Sequence, residues 1–256
     1  MPSDLQQKII EEFGSGVTQE AYIKNAEKGL WGAEKILIEK YFKSGSSILD
    51  IGCGTGRTTI PLYQMGYKIV GVDITPEMIY SARKIAEAKS LEIAYEIGDA
   101  TRLTYGDSSF DNAIFSNNGW TQIPGEEKRL GALKEIYRIL KPNGYFIFTT
   151  HTRTFRGGFL WLWVWQWIKL YILKPLGFKI EELDFGDRFF ARESGGTKFK
   201  QKQFIHIPDV NKVKKQIAEA GFELIFMERE DKIETEDLHD KDNVYNWTPM
   251  FYVCKK

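Results

Sequence analysis

The sequence predicts an α/β protein built on a doubly wound, mostly parallel sheet, and three observations carry that prediction. An apolar run, Ile48, Leu49 and Ile51, drives into glycines at alternate positions, Gly52, Gly54 and Gly56. Such a pattern marks a buried strand that ends in a turn and opens a helix. Short apolar strands then alternate with helical patterns from 46 to 150, as parallel strands joined by crossover helices require. Carboxylates close three successive strands at Asp50, Asp73 and Asp99, spaced 23 and 26 residues apart.

Residues 4–43 read as helices broken near Gly14-Ser15-Gly16 and Gly29, packed against the sheet edge or forming part of the pocket. Strand 46–51, helix 56–65, strand 67–72, helix 76–89 and strand 91–97 then make two right-handed crossovers. Thr75 is placed to N-cap the second helix, with Pro76 at its first position and Glu77 in its first turn. Strand 110–116, helix 126–140 and strand 143–150 continue the sheet, and Lys141-Pro142-Asn143-Gly144 is the turn that stops the helix. An amphipathic helix over 209–220 buries Val213, Ile217 and Ala218; Gly221 ends it, and strands follow at 222–228 and 250–254. The acidic stretch 228–242 reads as a solvated loop.

Residues 151–207 break this rhythm. They hold ten Lys and Arg against five acids, in a chain whose formal net charge is zero. Four of the seven tryptophans stand at 161, 163, 165 and 167. As a strand, this run would stack all four on one face; as a helix it would be apolar all round. Its length, 159–173, favours a helix, and one too short to span a bilayer. Three readings stay open: a lid helix, a membrane-surface contact with Arg153, Arg156, Lys169 and Lys174 near anionic lipid, or a homodimer contact. Residues 187–192 and 197–207 pattern as a β-hairpin turning at Ser194-Gly195-Gly196. The chain thus divides into a core of 1–150 and 208–256 and an inserted cap of 151–207, helix plus hairpin, over the substrate pocket.

The glycine turn departs from the dinucleotide fingerprint, whose third glycine would stand at 57 or 59, where Arg57 and Thr59 stand instead. No Gly-Lys-Ser/Thr follows, so a P-loop is absent too. Asp50 beside the turn would repel a phosphate and suits a cationic, phosphate-free nucleoside with an amino-acid tail, namely S-adenosylmethionine (SAM). Asp73 is placed to accept ribose hydroxyls, and Asp99 with its neighbouring backbone to meet an adenine edge.

With Leu49-Asp50-Ile51-Gly52-Cys53-Gly54-Thr55-Gly56, Gly71-Val72-Asp73-Ile74-Thr75-Pro76-Glu77-Met78 and Gly98-Asp99-Ala100 in register, the chain resembles the class I SAM-dependent methyltransferases. It is most similar to their small-molecule, ubiquinone/menaquinone-biosynthesis-like branch. Phe110-Asp111-Asn112-Ala113-Ile114-Phe115 and Leu140-Lys141-Pro142-Asn143-Gly144-Tyr145 extend the resemblance, which covers 45–150 and resumes at 208–255. It implies a Rossmann-like sheet of seven strands with the last antiparallel. It also implies SAM as cofactor, S-adenosylhomocysteine as product, and binding by Asp50, Gly52, Cys53, Gly54, Gly56, Asp73, Ile74, Asp99, Ala100 and Asn117.

The chemistry expected is in-line methyl transfer to a small, apolar or aromatic acceptor. His151, directly after the fifth strand, is the candidate general base, with a structural hydrogen bond as the competing reading; His206 is a weaker candidate. Asn118, Trp120 and Trp161 are expected to line the acceptor. Ser116-Asn117-Asn118-Gly119-Trp120 departs from the Asn/Asp-Pro-Pro-aromatic motif of base-specific amino methyltransferases, and the zero net charge also disfavours a nucleic-acid partner. Cys53 and Cys254 lack metal-ligand spacing, so no metal is expected, and they read as thiols of a reducing compartment. The polar N-terminus lacks a signal-peptide core, which places the chain in the cytoplasm, with a peripheral membrane position open through 159–173. Two other classes stay open: a non-catalytic SAM-binding sensor or partner subunit, and a nicotinamide oxidoreductase.

Overall fold

The computed structural model describes residues 4–155, 157–194, 197–233 and 248–256. Three helices, α1 (Asp4–Gly14), α2 (Gly16–Ala26) and α3 (Gly32–Tyr41), precede the alternating core. That core runs β1 (Ser47–Ile51), α4 (Thr59–Gln64), β2 (Lys68–Asp73), α5 (Pro76–Ala88), β3 (Ala94–Ile97), β4 (Phe110–Phe115), α6 (Glu126–Ile139) and β5 (Leu140–Thr150). The insertion contributes α7 (Gly158–Ile168), extended by a π-helical turn Lys169–Leu173, and a hairpin of β6 (Asp187–Ser194) and β7 (Thr197–His206). The chain closes with α8 (Val210–Glu219), β8 (Glu223–Arg229), α9 (Glu230–Ile233) and β9 (Met250–Lys255).

Seven strands form one sheet in the order β3-β2-β1-β4-β5-β9-β8. The pairs β1–β2, β1–β4, β2–β3 and β4–β5 are parallel, and β9 is antiparallel to both β5 and β8. The predicted Rossmann-like sheet with an antiparallel last strand is therefore present. Both faces are covered, which is why its strands read as continuous apolar runs. Leu49, Ile51, Phe146 and Phe148 pack with Leu133 and Ile136 of α6 and Val213 and Ile217 of α8. The alternate residues Ile48, Ile114, Ile147 and Val253 pack with Ala33, Leu37 and Ile38 of α3.

Boundaries differ from the sequence reading where backbone hydrogen bonds intervene. β3 starts late because Leu91 N–H returns to Ala86 O to close α5. β5 starts early: Leu140 pairs with Phe110, then the register jumps to Tyr145 opposite Asn112. The expected turn at 141–144 is thus an irregularity inside the strand, with Asn143 at φ +66°. Asp209 caps α8, its carboxylate accepting from Asn211 and Lys212 N–H. Thr75 occupies the N-cap of α5 but makes no side-chain cap bond; its own N–H is held by Asp73.

The hairpin forms in antiparallel register, Asp187 opposite His206. Gly195 and Gly196 of its expected turn, and 234–247 of the expected acidic loop, lie outside the described residues. β7 packs against α1, so the insertion braces the N-terminal helix. Among the described residues no helix is long and apolar enough to cross a membrane.

Candidate active site

A cavity of about 920 Å³, counted with its open mouth, lies at the carboxyl ends of β1, β2 and β4. The sequence-predicted Gly52, Gly54, Asp73, Ile74, Asp99, Ala100 and Asn117 all line it. α1 closes over them with Gln6, Ile9, Ile10 and Phe13, joined by Tyr22 of α2.

The glycine turn is shaped by close approach. Gly52 has φ +62°, and a Cβ there would stand 2.6 Å from the Phe115 ring. Gly119 touches the same ring, so two glycines clasp Phe115 in the cavity wall. Asp73 fixes the turn from the next strand. Its Oδ2 accepts from Gly54 N–H at 2.9 Å and its Oδ1 from Thr75 N–H at 2.8 Å. Burial pushes the Asp73 carboxyl above its ordinary range, and these backbone bonds oppose that push. Each oxygen retains a lone pair for a further donor.

Asp99 is anchored in the same way. Its Oδ1 accepts from Thr101 N–H and Oγ1, both at 2.8 Å, while its Oδ2 accepts from Gln6 Nε2 at 2.7 Å. Lys128 Nζ donates to Gln6 Oε1 at 3.1 Å, so a cation borders the cavity beside the α1 contact. Under the fourth-strand loop sits a buried ion pair, Arg57 to Glu34 at 2.7 Å, with Arg57 stacked 4.5 Å over Trp31. Arg57 also donates to Ser116 Oγ at 2.8 Å, and Ser116 donates to Glu34. This brace holds the strand end where Asn117 and Asn118 adopt left-handed φ values of +49° and +57°.

Comparison with known proteins agrees with this geometry. Residues 48–144 match the family described as "Methyltransferase domain". The demethylmenaquinone methyltransferase of Staphylococcus saprophyticus is 30% identical over 74% of this chain and 75% of its own length. The chain belongs to the class I SAM-dependent methyltransferases. Among solved structures, a SAM-dependent methyltransferase from Methanosarcina mazei superposes with TM-score 0.69 at 21% identity, covering 89% of this chain and 98% of its own. One from Clostridium acetobutylicum gives TM-score 0.60 at 16% identity, over 86% and 89%. These two likenesses bear on the fold.

The cavity fits the cofactor of a methyltransferase on its own terms: a side-chain-free turn whose Cβ positions would fill it, and two carboxylates at strand ends with acceptor capacity left. Several predicted site residues of this methyltransferase stand elsewhere, each for a packing reason. Asp50 is buried behind the turn, where its Oδ2 accepts from Thr58 and Thr59 hydroxyls at 2.5 and 2.6 Å. Burial raises its pKa to about 6. It shapes the loop and does not line the cavity. Cys53 packs under α5 with Ile79, Ala82 and Tyr95. A Cβ on Gly56 would meet Tyr95 Oη at 2.6 Å, so that glycine serves the fold.

The acceptor-side expectations need more correction. Trp120 is fully buried against Phe148, its indole donating to Arg129 O at 3.1 Å. Asn118 is buried and its N–H donates to Thr149 Oγ1 at 2.7 Å. Trp161 is 74% exposed and lies off the cavity. His151 does not line the cavity either, and burial lowers its pKa to about 4, which makes it a poor proton acceptor. His206 is buried with its Nδ1 2.7 Å from Asp187. Asp184, Asp187 and His206 converge within 4.8 Å, but Asp184 pairs with the buried Arg129 and Asp187 accepts Leu183 and Asp184 N–H. That cluster is a brace between hairpin and core.

What the sequence reading missed lies on α1 and α6: Gln6, Ile10, Phe13 and Lys128. The available signal was the Ile9-Ile10-Phe13 stripe on a helix whose remaining residues, Leu5 and Gly14 apart, are polar.

Proposed function

We propose that this enzyme methylates a small, apolar or aromatic acceptor of the quinone type, by in-line displacement. The observation that carries this reading is the mixed lining of one cavity: a backbone-rich cofactor wall with Asp73 and Asp99, and an apolar cover of Ile9, Ile10, Phe13, Ile123 and Pro124. The demethylmenaquinone methyltransferases among its relatives support the same acceptor class.

Bound SAM supplies an electrophilic methyl group on a sulfonium. Asp73 holds the ribose hydroxyls, Asp99 and Ala100 receive the adenine, and Gly52, Gly54 and Asn117 receive the methionine portion. α1 excludes water and aligns the acceptor, which suffices for a reaction whose rate depends on proximity. Because the two candidate histidines lie off the cavity, the acceptor is one that binds already ionised, as an oxyanion, so that methyl transfer requires no proton to be removed in the site. Lys128 supplies the positive charge that favours such an acceptor. Residues 151–207 act on the pocket indirectly, through the contact of β7 with α1.

The test is release of S-adenosylhomocysteine with hydroxylated naphthoquinols, catechols and aliphatic amines as acceptors. Turnover confined to the hydroxylated aromatics, and lowered by Lys128→Met, is the expected result. Turnover on amines alone would overturn the acceptor class.

A further inference from the structure

The insertion carries an outer surface that the cavity does not use. α7 is fastened to the hairpin by one face: Trp163 is 3% exposed and packs on Ile205 and Ile207, and its indole donates to Thr154 O at 2.7 Å. Gln166 completes that face, donating to Asp187 O and accepting from Gly186 N–H. The other face is left in solvent with Trp161, Trp165, Trp167, Tyr171, Ile172 and Phe178. Among the described residues, twelve of the seventeen large apolar side chains that face solvent lie between 155 and 183. Monomer surfaces seldom concentrate apolar side chains so heavily without an occupant.

Charge identifies the occupant. Residues 151–183 contain five Lys and Arg against two acids, Glu181 and Glu182, although the whole chain is neutral. Lys169 is paired internally with Glu182 and Lys174 Nζ donates to Glu182 O at 3.0 Å, while the Lys174 and Lys179 side chains are exposed at the end of the apolar face. A symmetric contact between two copies would set this net-cationic segment against itself, with Glu181 as its one exposed carboxylate. A sheet of anionic headgroups over hydrocarbon answers both features: Trp and Tyr rings seat at headgroup depth and cations meet phosphate. The helix is too short to cross, so it lies in the plane of the surface.

We propose that the outer face of α7 and the turn after it is a docking surface for an anionic phospholipid bilayer. The inference goes beyond the acceptor reading and does not depend on it.

The full chain is tested by co-sedimentation with vesicles of phosphatidylcholine, with and without phosphatidylglycerol, and by quenching of tryptophan emission with brominated acyl chains. Binding to the anionic vesicles, weakened by salt, with quenched emission, is the expected result. Trp161→Gln with Trp165→Gln lowers partitioning roughly tenfold or more, and Lys174→Glu with Lys179→Glu does so by roughly the same factor. S-adenosylhomocysteine binding, followed by calorimetry on the same samples, stays unchanged and shows the variants to be folded. Absence of partitioning by a chain that binds S-adenosylhomocysteine overturns the proposal and leaves the enzyme reading intact. A dimer in sedimentation equilibrium that these substitutions dissolve overturns it in favour of a second copy. Loss of turnover with vesicle binding retained counts against the acceptor reading alone.

Discussion

In the glycine turn after β1, the groups that face the cavity are largely backbone. Gly52 and Gly54 present no side chain, and Asp73 spends both carboxylate oxygens on holding Gly54 and Thr75 N–H. In the inserted segment the reverse holds: α7 shows side chains on every side, and one stripe, Trp163, Gln166 and Leu170, fixes it. The first region leaves almost no room for substitution, because a single Cβ meets a ring. The second separates a face that the fold needs from a face it does not. Identical residue types, tryptophans two positions apart, therefore have different roles, and only burial distinguishes them.

The largest effect expected from this contrast is at Trp163. Trp163→Ala removes the buried ring that joins α7 to Ile205 and Ile207, and should cost about 3–5 kcal/mol in denaturant unfolding. A cost near zero would break the comparison, because α7 would then have no fixed face. Asp73→Asn ranks next. An amide has one acceptor oxygen where the carboxylate has two, so either Gly54 or Thr75 N–H is left facing a donor, at about 1.5–3 kcal/mol. Calorimetry should show SAM binding weakened by more than about tenfold. Gly52→Ala should cost about 1–3 kcal/mol, from the Phe115 contact and the positive φ, with loss of SAM binding.

A smaller effect is expected from pH. The folded-state pKa of His151 is depressed to about 4, against about 6.5 for a free imidazole. Between those values the unfolded chain binds more protons, so stability falls as pH drops from about 6.5 to about 4. His151→Gln should flatten that part of the stability profile without changing the pH dependence of turnover. A turnover profile that moved would restore His151 to the chemistry. At the bottom of the scale, Trp161→Ala should change stability by no more than about 0.5 kcal/mol, because the ring is exposed. That measurement sharpens the contrast with Trp163, two residues away.

The legibility of the site follows the same division. Gly52, Gly54, Asp73, Ile74, Asp99, Ala100 and Asn117 were readable because they sit at strand ends, where local pattern fixes position. Asp50, Cys53 and Gly56 belong to the same motif but do not line the cavity, since the motif does not say which of its residues face inward. Trp120 and Trp161 show the limit more sharply. Both are apolar rings near a suspected pocket, yet one is core and the other is in solvent. The cover formed by α1 was foreseen only as one of two options, because its residues meet the cavity from 93 positions away in sequence, as Gln6 meets Asp99.

By itself the sequence determined the order of strands and helices, the turn without side chains, and the carboxylates that end β2 and follow β3. Those features rest on short-range rules: apolar runs, positive-φ glycines and residues at strand ends. The tertiary structure decided which side chains point at the cavity and which point away, because burial is a property of the partners an element meets. It placed α1 over the pocket, moved both histidines off it, and divided the tryptophans of α7 into one that holds the fold and three that face solvent.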